Sequence, residues 1–326
     1  MRVGLLGAGN ISRTMSKTIA AMEDVQNYAV ASRDLAKARA FAEECGIEKA
    51  YGSYEEMLAD EKVDLVYVAT PHSHHYEWTI AALKAGRNVL CEKAFAANAR
   101  QAEKMIALAE DRKQLLTEAI WTRYMPSRVM IRELIDSGEI GEVRMVTSNL
   151  GYLISDVERM LRPELAGGCL LDLTVYPLNF TSMVLGNGYS MVSAQMIPTG
   201  TGVDGQDSVT MEYPDGAMAI MMTTMYAQTD RRGMIYGTKG MLEVSNINNP
   251  GQISVFEYSP SGMRLKKEIK PPKMISGYEY EVEACKKAIE NGAIECPEMP
   301  HAETLEIMRQ MDEIRGQFGI VFPFES

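Results

Sequence analysis

The run Gly7-Ala8-Gly9-Asn10-Ile11-Ser12 stands between an apolar segment, Val3–Leu6, and a helical pattern. Its chemistry is done by the backbone. The first glycine permits a tight turn, and the second lets the main chain approach a pyrophosphate. The free N–H groups of the helix start then face the phosphates. Ser12 occupies the third glycine position, a small departure from the strict fingerprint. Gly7, Gly9, Asn10 and Ile11 are therefore expected to hold a dinucleotide. An acidic residue about 20 positions further on would suit the ribose of NAD. The chain instead has Ala31-Ser32-Arg33-Asp34. Ser32 can donate to a phosphate, and Arg33 can fork onto a 2′-phosphate or stack on adenine. These residues favour NADP(H), with NAD as the alternative. Asp34 has two readings, a ribose contact or the cap of the next helix, and the cap is preferred.

Such a turn needs a sheet behind it. Up to about residue 120, apolar runs at Val3–Leu6, Tyr28–Ala31, Val63–Ala69, Asn88–Cys91 and Leu115–Ala119 alternate with helical patterns at Ser12–Met22, Asp34–Cys45, Tyr76–Ala85 and Asn98–Arg112. A further short helix is signalled by Ser53-x-x-Glu56, a capping box. This alternation predicts an α/β Rossmann domain, a doubly wound parallel sheet, over residues 1–120. The pattern then changes. After a helix over Ser127–Ser137, strands are expected at Val143–Leu150, Met191–Ile197, Ser208–Tyr213, Ala217–Met225 and Met241–Val244, with helices at Tyr278–Asn291 and Ala302–Phe318. Residues 121–326 are thus expected to form an α+β domain with a mainly antiparallel sheet, for substrate binding and dimerisation.

Composition narrows the function classes. The 326 residues are 46% hydrophobic and 24% charged, with a net charge of −11. That charge argues against nucleic-acid binding, which needs a basic footprint. No apolar run reaches the ~20 residues a membrane span needs, and a strand begins almost at once, so neither a membrane segment nor a signal peptide is expected. The five scattered cysteines form no C-x-x-C pair and suit a reducing cytoplasm. The 24 methionines are expected to fill core gaps. His72, His74 and His75 lack a fourth ligand, so no metal site is expected.

Three more segments fall at the C-terminal ends of strands, where open α/β sheets bind ligands. They are Thr70-Pro71-His72-Ser73-His74-His75, Cys91-Glu92-Lys93-Ala94 and Glu118-Ala119-Ile120-Trp121-Thr122-Arg123. The second domain adds the block from Gly167-Gly168 through Leu171-Asp172 to Val175-Tyr176-Pro177. Together these resemble the glucose–fructose oxidoreductase/inositol dehydrogenase (Gfo/Idh/MocA) family, nearest its branch of dimeric dihydrodiol dehydrogenases and NADP-dependent D-xylose dehydrogenases. The tail Met299-Pro300-His301-Ala302-Glu303-Thr304-Leu305 extends the resemblance over nearly the full length.

The resemblance implies that Lys93 is the active-site lysine, with Ala94 replacing a common proline. It implies that Tyr176 is the acid/base, four residues after Asp172. It also implies that Thr70, Pro71, His72 and His75 line the cofactor, with His72 replacing an asparagine. Glu92, Trp121 and Arg123 join that set. For Trp121 and Arg123 the competing readings are core packing and a surface ion pair. Elementary chemistry agrees with these roles. Hydride transfer at a carbinol carbon needs a group for the hydroxyl proton. A tyrosine titrates near ~10, and a neighbouring ammonium favours its phenolate. Lys93 and Tyr176 are expected to meet across the cleft between the domains. Pro177 predicts an irregular or late-starting helix.

The expected function is therefore NADP(H)-dependent oxidoreduction at a CH–OH group of a sugar, cyclitol or trans-dihydrodiol. The alternatives are an NAD-dependent glycosidase working by transient oxidation and elimination, and a non-catalytic dinucleotide-binding regulator. A homodimer through the open sheet face, using Met218–Met222 and Met191–Ile197, is also expected.

Overall fold

The computed structural model describes residues 1–325. The described residues divide into two compact units, the first made of residues 1–124 and 274–308, the second of residues 125–273 and 309–325.

In the first unit, β1 (Arg2–Leu6), β2 (Gln26–Ala31), β3 (Lys49–Tyr51), β4 (Leu65–Val68), β5 (Asn88–Glu92) and β6 (Leu116–Ala119) form one parallel sheet in the order β3-β2-β1-β4-β5-β6. That is the doubly wound order, with its switch point between β1 and β4. Every residue of β4 is buried, as expected of a strand covered on both faces. The crossovers are α1 (Asn10–Ala20), α2 (Leu35–Cys45), α3 (Tyr54–Leu58), α4 (His72–Lys84) and α5 (Ala99–Arg112). Ser53 accepts from the Glu56 N–H at 3.2 Å, the predicted cap of α3.

A division at residue 120 omits one part of this unit. Residues 274–308 return to it. They carry α8 (Glu279–Glu290) and the start of α9 (His301–Phe318). The Leu116 N–H donates to the Ile294 carbonyl at 3.0 Å, and His301 Nε2 lies 2.8 Å from the Leu116 carbonyl. The return covers edge strand β6, whose backbone would otherwise be open to pairing.

The second unit begins with α6 (Pro126–Asp136) and β7 (Val143–Gly151) and continues through α7 (Val175–Leu185) to seven further strands. These are β8 (Met191–Pro198), β9 (Asp204–Glu212), β10 (Met218–Thr224), β11 (Gly233–Gly237), β12 (Gly240–Val244), β13 (Ile253–Ser259) and β14 (Gly262–Ile269). The sheet order is β14-β13-β12-β11-β7-β10-β9-β8, antiparallel except where β7 meets β10. Helix α7 packs on one face. A side chain at Gly233 would meet Phe180 of that helix at 2.4 Å, so only glycine fits there. Along β10, Ala219 and Met221 are buried, whereas Met218 and Ile220 are half-buried and Met222 is 58% exposed. Alternation along the strand thus sends one set to the core and the other to the open face.

The stretch Pro163–Leu185 is long and apolar enough to resemble a membrane span, yet 83% of its apolar window is buried inside the protein. It is a core segment, interrupted by Glu164, Asp172 and Asn179.

Candidate active site

The glycine turn follows β1. Gly7 has φ of +118°, and a Cβ there would lie 2.8 Å from the Ala69 carbonyl oxygen. This is a position for glycine alone, because it combines a left-handed conformation with close backbone approach. Gly9 is the N-cap of α1, with no side-chain cap, and a Cβ at Gly9 would meet nothing within 4 Å. The first turn of α1 carries no acidic residue. Open space before uncapped N–H groups fits the phosphates of a dinucleotide. Ser12, at the third glycine position, is wholly buried, so its small size serves the packing of α1 on the sheet.

After β2, the Ser32 N–H donates to the Tyr51 carbonyl at 3.2 Å, and Ser32 Oγ accepts from the Asp34 N–H at 3.3 Å. Asp34 accepts from the Ala36 and Lys37 N–H groups at 2.8 and 3.3 Å. Asp34 is therefore the cap of α2, which decides between its two readings. Arg33 is exposed, and so is Lys37 one turn into α2. Two cations thus stand where the ribose of a bound nucleotide is read.

The segment Thr70–His75 is only partly a loop, because α4 starts at His72. Thr70 Oγ1 is buried and has no hydrogen-bond partner in the protein. His72 is 6% exposed. His75 is fully buried, with Nδ1 2.8 Å from the Ala94 carbonyl and Nε2 2.8 Å from the Thr70 carbonyl. Burial pushes its pKa down to about 4, against the pull of those two carbonyls. A neutral ring carries one N–H, so it serves one carbonyl at a time. His75 thus fastens the start of α4 to the loop that carries Lys93. It lies in the interior between the two segments.

Lys93 is half-buried just beyond β5. The preceding Glu92 is turned inward, accepting from the Tyr67 hydroxyl in a short hydrogen bond and from the Lys93 N–H at 3.2 Å. These two contacts brace the end of β5. Beyond β6, Trp121 stacks on Tyr278, with ring centroids 4.5 Å apart and planes 5° apart, and its Nε1 is buried without a partner. Arg123 is 3% exposed and paired with Glu303 of α9. The pair lies in the interior, so it is not the surface ion pair weighed for Arg123. Two acids here owe their behaviour to burial: Glu118, which opens the segment already named, and Glu281, which nothing in the sequence singled out. Burial pushes Glu118 up to about 7, against opposing hydrogen bonds from Thr304 and the Phe95 N–H. Glu281 is buried with both oxygens unpartnered, and burial raises its pKa well above the carboxylate range.

In the second unit, Leu170–Thr174 form one π-helical turn that runs into α7, with Pro177 in its first turn. The wider turn relieves the bond that a proline cannot donate, the irregularity Pro177 predicted. Asp172, in that turn, is 5% exposed and gripped by Arg159, with Nη1 to Oδ1 at 3.1 Å and Nη2 to Oδ2 at 3.2 Å. Tyr176 is half-buried in the first turn of α7.

A doubly wound sheet with a phosphate-cradling turn at its first βα junction defines a dinucleotide-binding oxidoreductase domain. Comparison with known proteins gives the family. Residues 1–120 match "Oxidoreductase family, NAD-binding Rossmann fold", and residues 129–243 match "GFO/IDH/MocA C-terminal domain". The chain belongs to the Gfo/Idh/MocA family of oxidoreductases. It is similar to the trans-1,2-dihydrobenzene-1,2-diol dehydrogenase of Danio rerio, at 32% identity over 100% of this chain and 99% of the relative. It is also similar to the D-xylose 1-dehydrogenase (NADP(+)) of Hypocrea jecorina, at 35% identity over 99% of this chain and 93% of the relative. Among solved structures, a 3-ketoreductase from Actinomadura kijaniata in complex with NADP superposes with a TM-score of 0.89 at 25% identity, covering 97% of each chain.

Proposed function

We propose that the protein is an NADP(H)-dependent oxidoreductase acting on a CH–OH group of a sugar, cyclitol or trans-dihydrodiol. The observation that carries this reading is the pairing of an open phosphate cradle at Gly9 with an exposed Arg33 after β2, where a ribose-binding carboxylate would serve NAD. The names of the dihydrodiol and D-xylose relatives support the substrate class. Bound cofactor supplies hydride acceptance or donation at the nicotinamide. The residues of this chain do the rest. The α1 N-terminus and Arg33 hold phosphates, and Tyr176 takes or returns the hydroxyl proton at Oη. Lys93 supplies the ammonium that favours the phenolate and steadies the substrate oxygen. Trp121, with an inward N–H and a stacked face, offers a wall to a ring-shaped substrate.

The finer assignments follow the same reading. Met218, Ile220 and Met222 share the open face of β10, which suits cover by a second copy of the chain, and a monomer mass by light scattering at micromolar concentration would refute that homodimer. All five cysteines are free thiols, which supports a reducing, cytoplasmic setting, testable by fractionation.

A screen of NADP+ and NAD+ reduction against aldoses, inositols and trans-dihydrodiols tests the proposal. At least one substrate should be turned over faster with NADP+, and Arg33→Ala should weaken NADPH binding about tenfold, ~1.4 kcal/mol, with little effect on NADH. Equal preference for NAD+, or no turnover with any member, contradicts it.

A further inference from the structure

Strand β9 places two carboxylates beneath the turn that leads into Tyr176, and neither has a role in the chemistry described so far. Asp204 is 2% exposed and Asp207 5%. Asp204 Oδ2 accepts the Leu170 N–H in a short hydrogen bond at the start of the π-helical turn. Its other oxygen presses on Gly168, where a Cβ would lie 2.0 Å away at a backbone φ of +111°. Asp207 Oδ2 accepts the Thr174 hydroxyl at 2.6 Å, at the end of the same turn, and Thr223 of β10 adds a 3.4 Å contact. One strand thus grips both ends of the turn that carries Asp172.

The two carboxyls stand three residues apart on one strand, both buried and both turned to the same short turn, so each acts on the other's titration. Asp207 Oδ1 is buried and meets no donor. Two carboxylates in contact away from water cannot both ionise. A single proton between them would satisfy the orphaned oxygen and remove the repulsion. The other ionisable neighbours do not supply a counter-charge. Cys169 is a buried thiol whose Sγ–H donates to the Gly205 carbonyl at 3.0 Å, and the Arg159 charge is engaged by Asp172. Burial and the neighbouring carboxylate push Asp204 well above its ordinary range, and burial pushes Asp207 up to about 6.

We propose that Asp204 and Asp207 share one proton and act as positioning residues, locking the 170–174 turn so that Asp172 and Tyr176 are held in register for proton transfer. The second half of this inference rests on the Tyr176 reading, and the first does not. Loss of the shared proton at high pH leaves two buried like charges, which should loosen the turn and give kcat an alkaline limb. Asparagine at either position mimics the protonated partner, because its NH2 donates to the remaining carboxylate while its carbonyl accepts from Leu170 or Thr174.

The test compares the full-length wild type, Asp204→Asn, Asp207→Asn and Asp204→Ala. At neutral pH the infrared difference spectrum of wild type minus each asparagine variant should show one protonated-carboxyl component lost, while the absorption of Glu118 and Glu281 stays in all of them. The kcat of each asparagine variant should stay within about threefold of wild type, with its alkaline limb shifted up by about one pH unit or more. Asp204→Ala should lose about tenfold or more in kcat, while the Kd for NADPH changes less than about twofold. If the asparagine variants leave the carboxyl band unchanged, the shared proton is disproved whatever Tyr176 does. A wild-type pH profile in those variants, or near-wild-type kcat in Asp204→Ala, disproves the positioning role. Full turnover in Tyr176→Phe would overturn the acid/base reading, and with it the positioning role, while the infrared band would still report the proton.

Discussion

Arg159 holds Asp172 in a two-pronged ion pair, one guanidinium nitrogen to each carboxylate oxygen, at 3.1 and 3.2 Å. The Asp172 side chain is 7% exposed and that of Arg159 is 46% exposed, so the pair is anchored on its acidic side and screened on its basic side. Removing the arginine strands a buried charge, whereas removing both partners does not. Arg159→Ala is expected to cost about 2 kcal/mol of stability, less than a fully buried pair because water reaches the guanidinium. Asp172→Asn added to Arg159→Ala should recover part of that loss. Denaturant unfolding of the two single variants and the double completes the cycle. Additive losses would show that the pair is not coupled.

The two glycines of the cofactor turn should separate folding from binding. Gly7→Ala combines a φ of +118° with a methyl 2.8 Å from the Ala69 oxygen, and should cost about 3 kcal/mol. Gly9→Ala meets open space, so the protein should unfold at nearly the wild-type midpoint. Its methyl would nonetheless stand where a pyrophosphate approaches the backbone, and NADPH affinity should fall at least about tenfold. Thermal melts with and without NADPH distinguish the two effects. Unchanged NADPH affinity in Gly9→Ala would count against the phosphate site.

Glu118 gives stability a pH dependence of known sign. Burial lifts its folded pKa to about 7, so the unfolded chain loses this proton first, near ~4.3, and the folded chain only later. Stability should therefore fall as pH rises from about 4 to 7 and then level off, by up to ~3 kcal/mol from this group. Glu281, also raised by burial, acts in the same direction. Glu118→Gln should flatten the Glu118 part of the slope and be the more stable protein at pH 8. The check is urea unfolding at a series of pH values, where an unchanged slope in Glu118→Gln would assign the effect elsewhere.

Much of this was legible in the sequence for identifiable reasons. The βαβ rhythm and the Gly7-Ala8-Gly9 turn are local patterns, each carried by neighbouring residues. Four strands were missed; β13 carries a clear strand pattern, Ile253-Ser254-Val255-Phe256, and the other three have weak local signals. β14 is a charged, exposed edge strand, β11 is bounded by Gly233 and Gly237, and β3 is three residues long. The return of residues 274–308 to the first unit is a long-range event with no local marker. Asp204, Asp207, Glu118 and Glu281 look in sequence like any surface acids. Only burial distinguishes them, and burial is set by strands that are distant along the chain. His75 and Arg123 were noticed for their type, yet their partners, the Ala94 carbonyl and Glu303, emerged only from the fold.

In the proposed function Lys93 and Tyr176 together handle the substrate hydroxyl proton while separate residues bind the nucleotide. The direct measurement is kcat for Lys93→Met, Tyr176→Phe and the double variant on the substrate found by the NADP+ screen, with the Kd for NADPH measured alongside. Residues acting as one unit are non-additive. Each single substitution should remove most turnover, about a hundredfold or more, and the double should cost little beyond either one. NADPH binding should change far less than kcat, because the Gly7–Gly9 turn and Arg33 are untouched. Near-wild-type turnover in Tyr176→Phe, or fully multiplicative losses in the double variant, would contradict the account.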